Sequence, residues 1–260
     1  MRNNTPPLLT LEGAVATIKL NRGQYKNRLH NDDVKLLLKY CEAINNNPEI
    51  RVVVLTSEVN ANGKPIFCAG FHVGDFDGDE PVVPFEKLPD AIESLNAISI
   101  CVMPGSVYGG ATDVALACDF RLGVVGMELR MPAAALGLHY YPSGLARYVS
   151  RLGLGAAKKA FLTACTWSDE ELLKVGYLDA IYTANELDCR ANELIAQIQN
   201  LAPLAVSGMK RSLNELAATG ATESNLQAIR TRESACSASQ DFIEGRAAFA
   251  DRRQARFTGR

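Results

Sequence analysis

No charge of either sign dominates this chain: 27 lysines and arginines are interspersed with 29 aspartates and glutamates, leaving a net charge of −2. That balance removes the basic stripe with which a protein neutralises a nucleic-acid backbone or an anionic bilayer, so a small-molecule ligand is the expected partner. Long apolar runs are missing as well; none approaches the roughly 18 residues that a membrane-spanning helix needs. The opening MRNNTPPLLTLEG has no extended apolar stretch of the signal-peptide kind, and the expectation is a soluble cytoplasmic protein with no membrane association. Histidine is scarce, represented by His30, His72 and His139, and Trp167 is the only tryptophan. The seven cysteines are an odd number without a C-x-x-C pair, which excludes a complete disulfide framework and any common metal-ligand spacing. Reduced thiols are therefore expected, mostly as small core residues in apolar contexts such as ISICVM and VALACDF, and neither a metal nor a redox cofactor is implied.

The 260 residues, 47% of them hydrophobic, suffice for one large α/β domain with an appendage. Apolar and polar residues alternate from Leu8 to Leu20 around Glu12-Gly13, a β-hairpin pattern. From Asn31, a candidate N-cap, the apolar positions Val34, Leu37, Leu38, Cys41 and Ile44 repeat with helical spacing, and Pro48 stands just past the end. A buried strand is expected over Arg51 to Thr56. There follow a Gly- and Asp-rich loop (Ala69 to Pro81), a helix from about Pro84 to Ala97, a strand over Ile98 to Met103, a helix over Gly109 to Cys118 and a strand over Phe120 to Val125. This alternation points to an α/β core around parallel strands. After about Asp188 only helical patterns remain, punctuated by Pro203, Gly208 and Gly220, as in a helical layer packed on the core or on a neighbouring subunit.

Two glycine-containing turns stand where backbone can approach a ligand, one in FCAGFH (Phe67 to His72) and one in GSVYGGATDVALACDF (Gly105 to Phe120). In the second, Gly109-Gly110 opens a helix, so free N–H groups and the positive end of the helix dipole face whatever lies before them. An oxygen gaining negative charge there would be stabilised by about 3–4 kcal/mol per well-placed donor. Tight packing at a strand-to-helix turn would explain the same glycines.

The order of segments resembles the enoyl-CoA hydratase/isomerase (crotonase) superfamily over nearly the whole chain. Asn21-Arg22 with Lys26-Asn27 is similar to its N-R-P…N-A, and FCAGFH to its F-x-A-G-x-D. GSVYGGATDVALACDFRLG is similar to its G-x-x-x-G-G-G-x-x-x-A-x-x-C-D, and Met131-Pro132 before LGLHYYPSGLARYVSRLG to the loop and helix that follow. AFLTACTWSDEELLKVGYLDAI and DFIEGRAAFADRRQARFTG resemble the later helices. The resemblance implies a ClpP/crotonase-like spiral of ββα units over residues 1–190 and a C-terminal helical region over 191–260 used in homotrimer or hexamer contacts. It also implies an acyl-CoA thioester in an extended groove, with coenzyme A as part of the substrate rather than a cofactor. Position by position, the oxyanion donors would be the N–H groups of Phe71 and Gly110, flanked by Cys68, Ala69, Gly70, His72 and Gly109 as substrate-binding residues. Polarising the thioester carbonyl in this way makes an enolate accessible.

The side chains that would choose among enolate reactions depart from the hydratase pattern. Asp113 stands at the first of the two positions where hydratases of the family carry glutamates, and Ala133, after Pro132, at the second. Alanine exchanges no proton, so isomerisation or another enolate reaction is expected rather than simple hydration. Asp113 could equally be an acid early in a helix, favoured by the dipole. Tyr141 aligns with a catalytic aspartate of some relatives and can donate a proton; with Tyr140 it could instead form an aromatic wall of an acyl pocket. His139 is a candidate acid or base, and His72 a candidate hydrogen-bonding residue beside Phe71. Hydrolysis or decarboxylation through His139, His72 and Tyr141, and a non-catalytic CoA-binding scaffold, are the alternative readings. Arg252, Arg253 and Arg256 either meet CoA phosphates or form an exposed basic helix end.

Overall fold

The computed structural model describes residues 5–59, 63–72, 74 and 83–260. Strands β1 (Leu8–Glu12) and β2 (Val15–Leu20) form the expected antiparallel hairpin, with Glu12 opposite Val15 and Gly13 turning at φ 57°. Helix α1 (Asn31–Asn45) follows. Its cap position is His30 rather than Asn31: the His30 N–H donates to Asp33 Oδ2 at 2.8 Å. Asn31 Oδ1 is used elsewhere, accepting the Val83 N–H at 2.9 Å.

From there the chain repeats a strand, a shorter strand and a helix. The first such unit is β3 (Val52–Ser57), β4 (Ile66–Cys68) and α2 (Lys87–Glu93). The second is β5 (Ile98–Met103), β6 (Ser106–Tyr108) and α3 (Ala111–Leu116). The third is β7 (Phe120–Val124), β8 (Glu128–Arg130) and α4 (Pro142–Thr163), the last interrupted at Gly153, where φ is 81° and ψ 158°. After it come β9 (Thr166–Ser168), α5 (Asp169–Lys174) and β10 (Ala180–Tyr182).

Members of each unit are sorted between two sheets. The first strands join a sheet of order β1-β2-β3-β5-β7-β10, parallel apart from the opening hairpin; the second strands join a smaller sheet of order β4-β6-β8-β9. Each turn of the spiral thus adds one strand to each sheet. Helices cover the parallel sheet, so β5 is buried along its whole length, which is why ISICVM reads as an unbroken apolar run instead of an alternation. The smaller sheet was not legible in the sequence. Its three-residue strands, such as Ser106–Tyr108 and Glu128–Arg130, are too short to carry a period.

The boundary read at 190/191 falls inside α6 (Leu187–Gln199), which packs on β3, β5 and β7 of the large sheet. Beyond it α7 (Pro203–Thr219), α8 (Glu223–Ser237) and α9 (Gln240–Asp251) form the C-terminal helical layer. Lys210 of α7 pins that layer to the core, its buried ammonium 2.7 Å from Asp119 Oδ2 and donating to Ala97 O at 2.8 Å. Helix α2 is shorter than expected because Ser94 closes it, its N–H and hydroxyl both donating to Asp90 O.

Candidate active site

Pairing in the small sheet brings the two glycine turns together. Strands β4 and β6 are parallel neighbours, with Ile66 opposite Ser106 and Cys68 opposite Val107, so the turns that leave their carboxyl ends emerge side by side. Gly70 has φ 89°, and a Cβ built on it would lie 2.8 Å from Tyr108 O, 3.2 Å from Gly110 N and 3.3 Å from Gly109 Cα. Glycine is required here for both reasons, since a side chain would be strained and would collide with the neighbouring turn.

Residues 26–29 hold the first turn from behind. The Ala69 N–H donates to Lys26 O at 2.9 Å, the Leu29 N–H to Gly70 O at 2.9 Å and the His72 N–H to Leu29 O at 2.8 Å. Asn27, buried and in the left-handed region at φ 51°, donates its side-chain N–H to Phe67 O at 3.0 Å. The second turn is held by the Gly109 N–H, which donates to Arg130 O at 2.9 Å. In α3 the Thr112 N–H bonds Gly109 O and the Asp113 N–H bonds Gly110 O, so the N–H of Gly110 precedes the first hydrogen bond within the helix.

Asp113, three residues after Gly110, has no exposed surface. Its Oδ2 accepts the Tyr141 hydroxyl at 2.6 Å and the Arg147 guanidinium at 2.7 Å, while its buried Oδ1 has no hydrogen-bond partner among the described residues. Burial pushes the pKa of this carboxyl above its ordinary value, and the opposing pull of Arg147 and of the Tyr141 hydroxyl does not cancel it. Arg147 is itself buried and spans three carboxylates, reaching Asp113 with one nitrogen and Asp90 (2.7 Å) and Glu93 (3.1 Å) with the other. Arg151 also takes Glu93, at 2.9 Å. These pairs tie α2, α3 and α4 to one another.

An aromatic surface borders the same place. Phe85 lies 5.4 Å from Phe71 and 6.4 Å from Tyr141, between ring centroids; Tyr141 stacks on Tyr140 at 4.2 Å, and their hydroxyls are 2.9 Å apart. Tyr140 continues to Phe161 at 5.0 Å. Burial raises the pKa of both tyrosines, with Asp113 adding to it, so both hydroxyls stay protonated.

Among the residues singled out in the sequence, Gly70, Phe71, Gly109, Gly110, Asp113, Tyr140 and Tyr141 are thus assembled in one region. The side chains of Cys68, His139 and His72 make other contacts. The Cys68 thiol faces inward and donates to Asn27 O at 2.9 Å; burial pushes its pKa up to about 12, so it is a core residue. His139 is exposed, and its Nδ1–H donates to Tyr140 O at 2.8 Å instead of entering the Asp113 cluster. The His72 ring packs edge-on against His30 at 4.7 Å. Ala133 is buried, and its carbonyl closes a tight turn by accepting the N–H groups of Leu136 and Leu138. Of the C-terminal arginines, Arg253 pairs with both oxygens of Glu244 at 2.7 and 2.8 Å, as suits an ion-paired helix end.

Arg147 and Phe85 were not anticipated. Nothing in LARYVSRLG distinguishes Arg147, which is buried against Asp113, from Arg151, although their i,i+4 spacing marks one helix face. Phe85 falls within the helix expected from about Pro84 but stands just ahead of α2, and nothing in its spacing singles it out from Leu88 or Ile92.

Two sheets wound from strand–strand–helix units, with paired glycine turns at the carboxyl ends of adjacent parallel strands, define a crotonase-type fold. The enoyl-CoA hydratase/isomerase family model matches residues 10–260. The chain belongs to the enoyl-CoA hydratase/isomerase family of crotonase-type enzymes. It is 27% identical over 213 residues to a short-chain-enoyl-CoA hydratase of Clostridium acetobutylicum, covering 80% of each chain. It is 26% identical over 251 residues to the methylmalonyl-CoA decarboxylase of Escherichia coli, covering 94% of this chain and 95% of that one. The fold matches a solved enoyl-CoA hydratase from Bacillus anthracis with a TM-score of 0.85 at 24% identity, over 98% of this chain and all (100%) of that chain.

Proposed function

We propose that this enzyme forms an enolate from an acyl-CoA thioester and moves a proton at the carbon beside the carbonyl, without hydrating a double bond. The N–H groups of Phe71 and Gly110 are the oxyanion donors in this reading, and Asp113 is the proton-transfer residue. The observation that carries it is the division of labour on Asp113: Oδ2 is anchored by Tyr141 and Arg147, and Oδ1 is buried without a partner among the described residues. An unsatisfied buried oxygen costs about 1–3 kcal/mol, and such groups call for a ligand or a proton. A carboxyl with a raised pKa suits exchange with the weak acid beside a thioester carbonyl.

Hydration needs a second acid or base to hold and split water. The position where hydratases of the family carry it is Ala133, which is buried and apolar. Isomerisation, by contrast, can run on one group that takes a proton from one carbon and returns it to another. The test is a panel of enoyl- and acyl-CoA thioesters followed by mass spectrometry in deuterated water. Deuterium entering next to the carbonyl, or a migrated double bond, is the expected result; rapid hydration of crotonyl-CoA would overturn it.

Decarboxylation is the second reading, favoured by the similarity to the Escherichia coli decarboxylase. The bond between the α carbon and a carboxylate would break, carbon dioxide would leave, and the electron pair would pass to the thioester oxygen as an enolate. Asp113 or Tyr141 would then return a proton to that carbon. Carbon dioxide released from a malonyl-type thioester separates this from isomerisation. The same proposal includes action in the cytoplasm, no added cofactor, and assembly as a trimer or hexamer through the C-terminal helices, on which Met209, Leu213, Ile243 and Phe249 are exposed.

A further inference from the structure

We infer that Phe85 determines the size of acyl group this enzyme accepts, an inference that rests on the acyl-CoA reading above. A Cβ on Gly110 would lie 2.6 Å from Phe85 Cε1 and 2.8 Å from Cζ, so the ring lies directly on the backbone of the helix-opening glycine. The same ring neighbours Phe71 and Tyr141, at 5.4 and 6.4 Å between centroids. One side chain therefore touches the region of both proposed oxyanion donors and of the tyrosine that holds Asp113.

Phe85 is only half-buried, in contrast to the fully enclosed Phe67, and it forms no part of a strand or helix. Its backbone is nevertheless fixed. The Leu88 N–H donates to Phe85 O at 3.0 Å, and α2, which begins two residues later, is tied to α4 by the pairs of Asp90 and Glu93 with Arg147 and of Glu93 with Arg151. A fixed backbone presenting a large ring makes a wall. A thioester oxygen seated about 3 Å from the Gly110 N–H brings the acyl carbons up against that ring. Compact acyl groups fit beside it, and longer ones require the ring to leave the Gly110 surface.

The test measures calorimetric dissociation constants of butyryl-CoA and octanoyl-CoA for the intact protein and for Phe85→Ala and Phe85→Leu. The intact protein prefers butyryl-CoA. Phe85→Ala improves octanoyl-CoA relative to butyryl-CoA by at least about 10-fold, the discrimination that a few methylenes' worth of pocket space supplies, and Phe85→Leu changes the ratio by less. An unchanged ratio in both variants, with butyryl-CoA still bound, overturns the role of Phe85 and leaves the acyl-CoA reading standing. Failure of the intact protein to bind either thioester overturns that reading itself, and the inference with it.

Discussion

The hydroxyl of Tyr141 donates to Oδ2 of Asp113 at 2.6 Å, joining residues 28 apart in sequence that lie at the start of one helix and inside another. Arg147 takes the same oxygen from the other side. The carboxylate is thereby fixed through one oxygen, while the other is buried without a hydrogen-bond partner among the described residues.

Removing the charge without changing the shape tests that arrangement. Asp113→Asn is expected to lower turnover by at least ~100-fold, the contribution of a positioned acid or base. Steady-state rates on the best thioester of the panel measure it, with circular dichroism as the check on folding. A rate close to that of the unaltered enzyme would remove Asp113 from the mechanism.

The pH dependence follows from the direction of the Asp113 shift. Its folded pKa is raised, so the folded protein holds this proton to higher pH than the unfolded chain does. The stability contributed is full below the ordinary carboxylate range and is lost as pH rises through the folded pKa. If the ionised form is the base, kcat/KM climbs along an acid limb lying above the usual aspartate range. Tyr141→Phe deletes a hydrogen bond to the ionised form and moves that limb to still higher pH; a limb that stays in place would detach Tyr141 from Asp113.

Arg147 neutralises a carboxylate that water cannot reach. Arg147→Met leaves Asp113 buried without its counter-ion and is expected to destabilise the fold by about 3–5 kcal/mol in urea denaturation. Adding Asp113→Asn to that variant should recover part of the loss, because no buried charge then remains. Equal losses in the single and double variants would show that the pair is not electrostatically coupled.

Gly70→Ala places a Cβ at φ 89° and 2.8 Å from Tyr108 O. Backbone strain of this kind costs about 1–3 kcal/mol, visible as a lowered midpoint in thermal or urea unfolding. Because the displaced turn carries Phe71, turnover should fall more than the loss of folded protein accounts for. Wild-type kinetics in the folded fraction would argue against any role for this turn.

Lys210→Met strands Asp119, which also accepts the backbone N–H of Ser99 at 2.7 Å. A cost of about 3–5 kcal/mol is expected, with early exposure of α7 to hydrogen exchange. Uniform exchange across the chain would show that the C-terminal layer is held by other contacts.

What could be read in advance follows from the range of each signal. The hairpin at Gly13, the apolar face of α1 and the buried strands β3 and β5 are local patterns several residues long, and they stand where expected. Gly70 and Gly109 were legible because glycine at a positive-φ turn is a backbone requirement written in one residue, whereas Gly110, at φ −57°, excludes a side chain only because the Phe85 ring lies against it. Arg147 and Phe85 were not, because their roles come from partners 34 and 25 residues away, Asp113 and Gly110. Cys68 and His139 carried reactive side chains in promising segments, yet strand direction turned one inward and loop geometry left the other in solvent.

By itself the sequence determined the α/β alternation, the two glycine turns and the absence of an acid at position 133, since periodicity, backbone freedom and side-chain identity are properties of the chain alone; the spiral was what its resemblance to the crotonase superfamily implied. Only the tertiary structure decided that β4 and β6 lie parallel, that their turns meet, and that Asp113 has one oxygen held and one buried without a hydrogen-bond partner among the described residues. Those outcomes depend on which distant groups share a water-excluded space, where an unpaired charge or an unmatched oxygen is costly enough to dictate its neighbours.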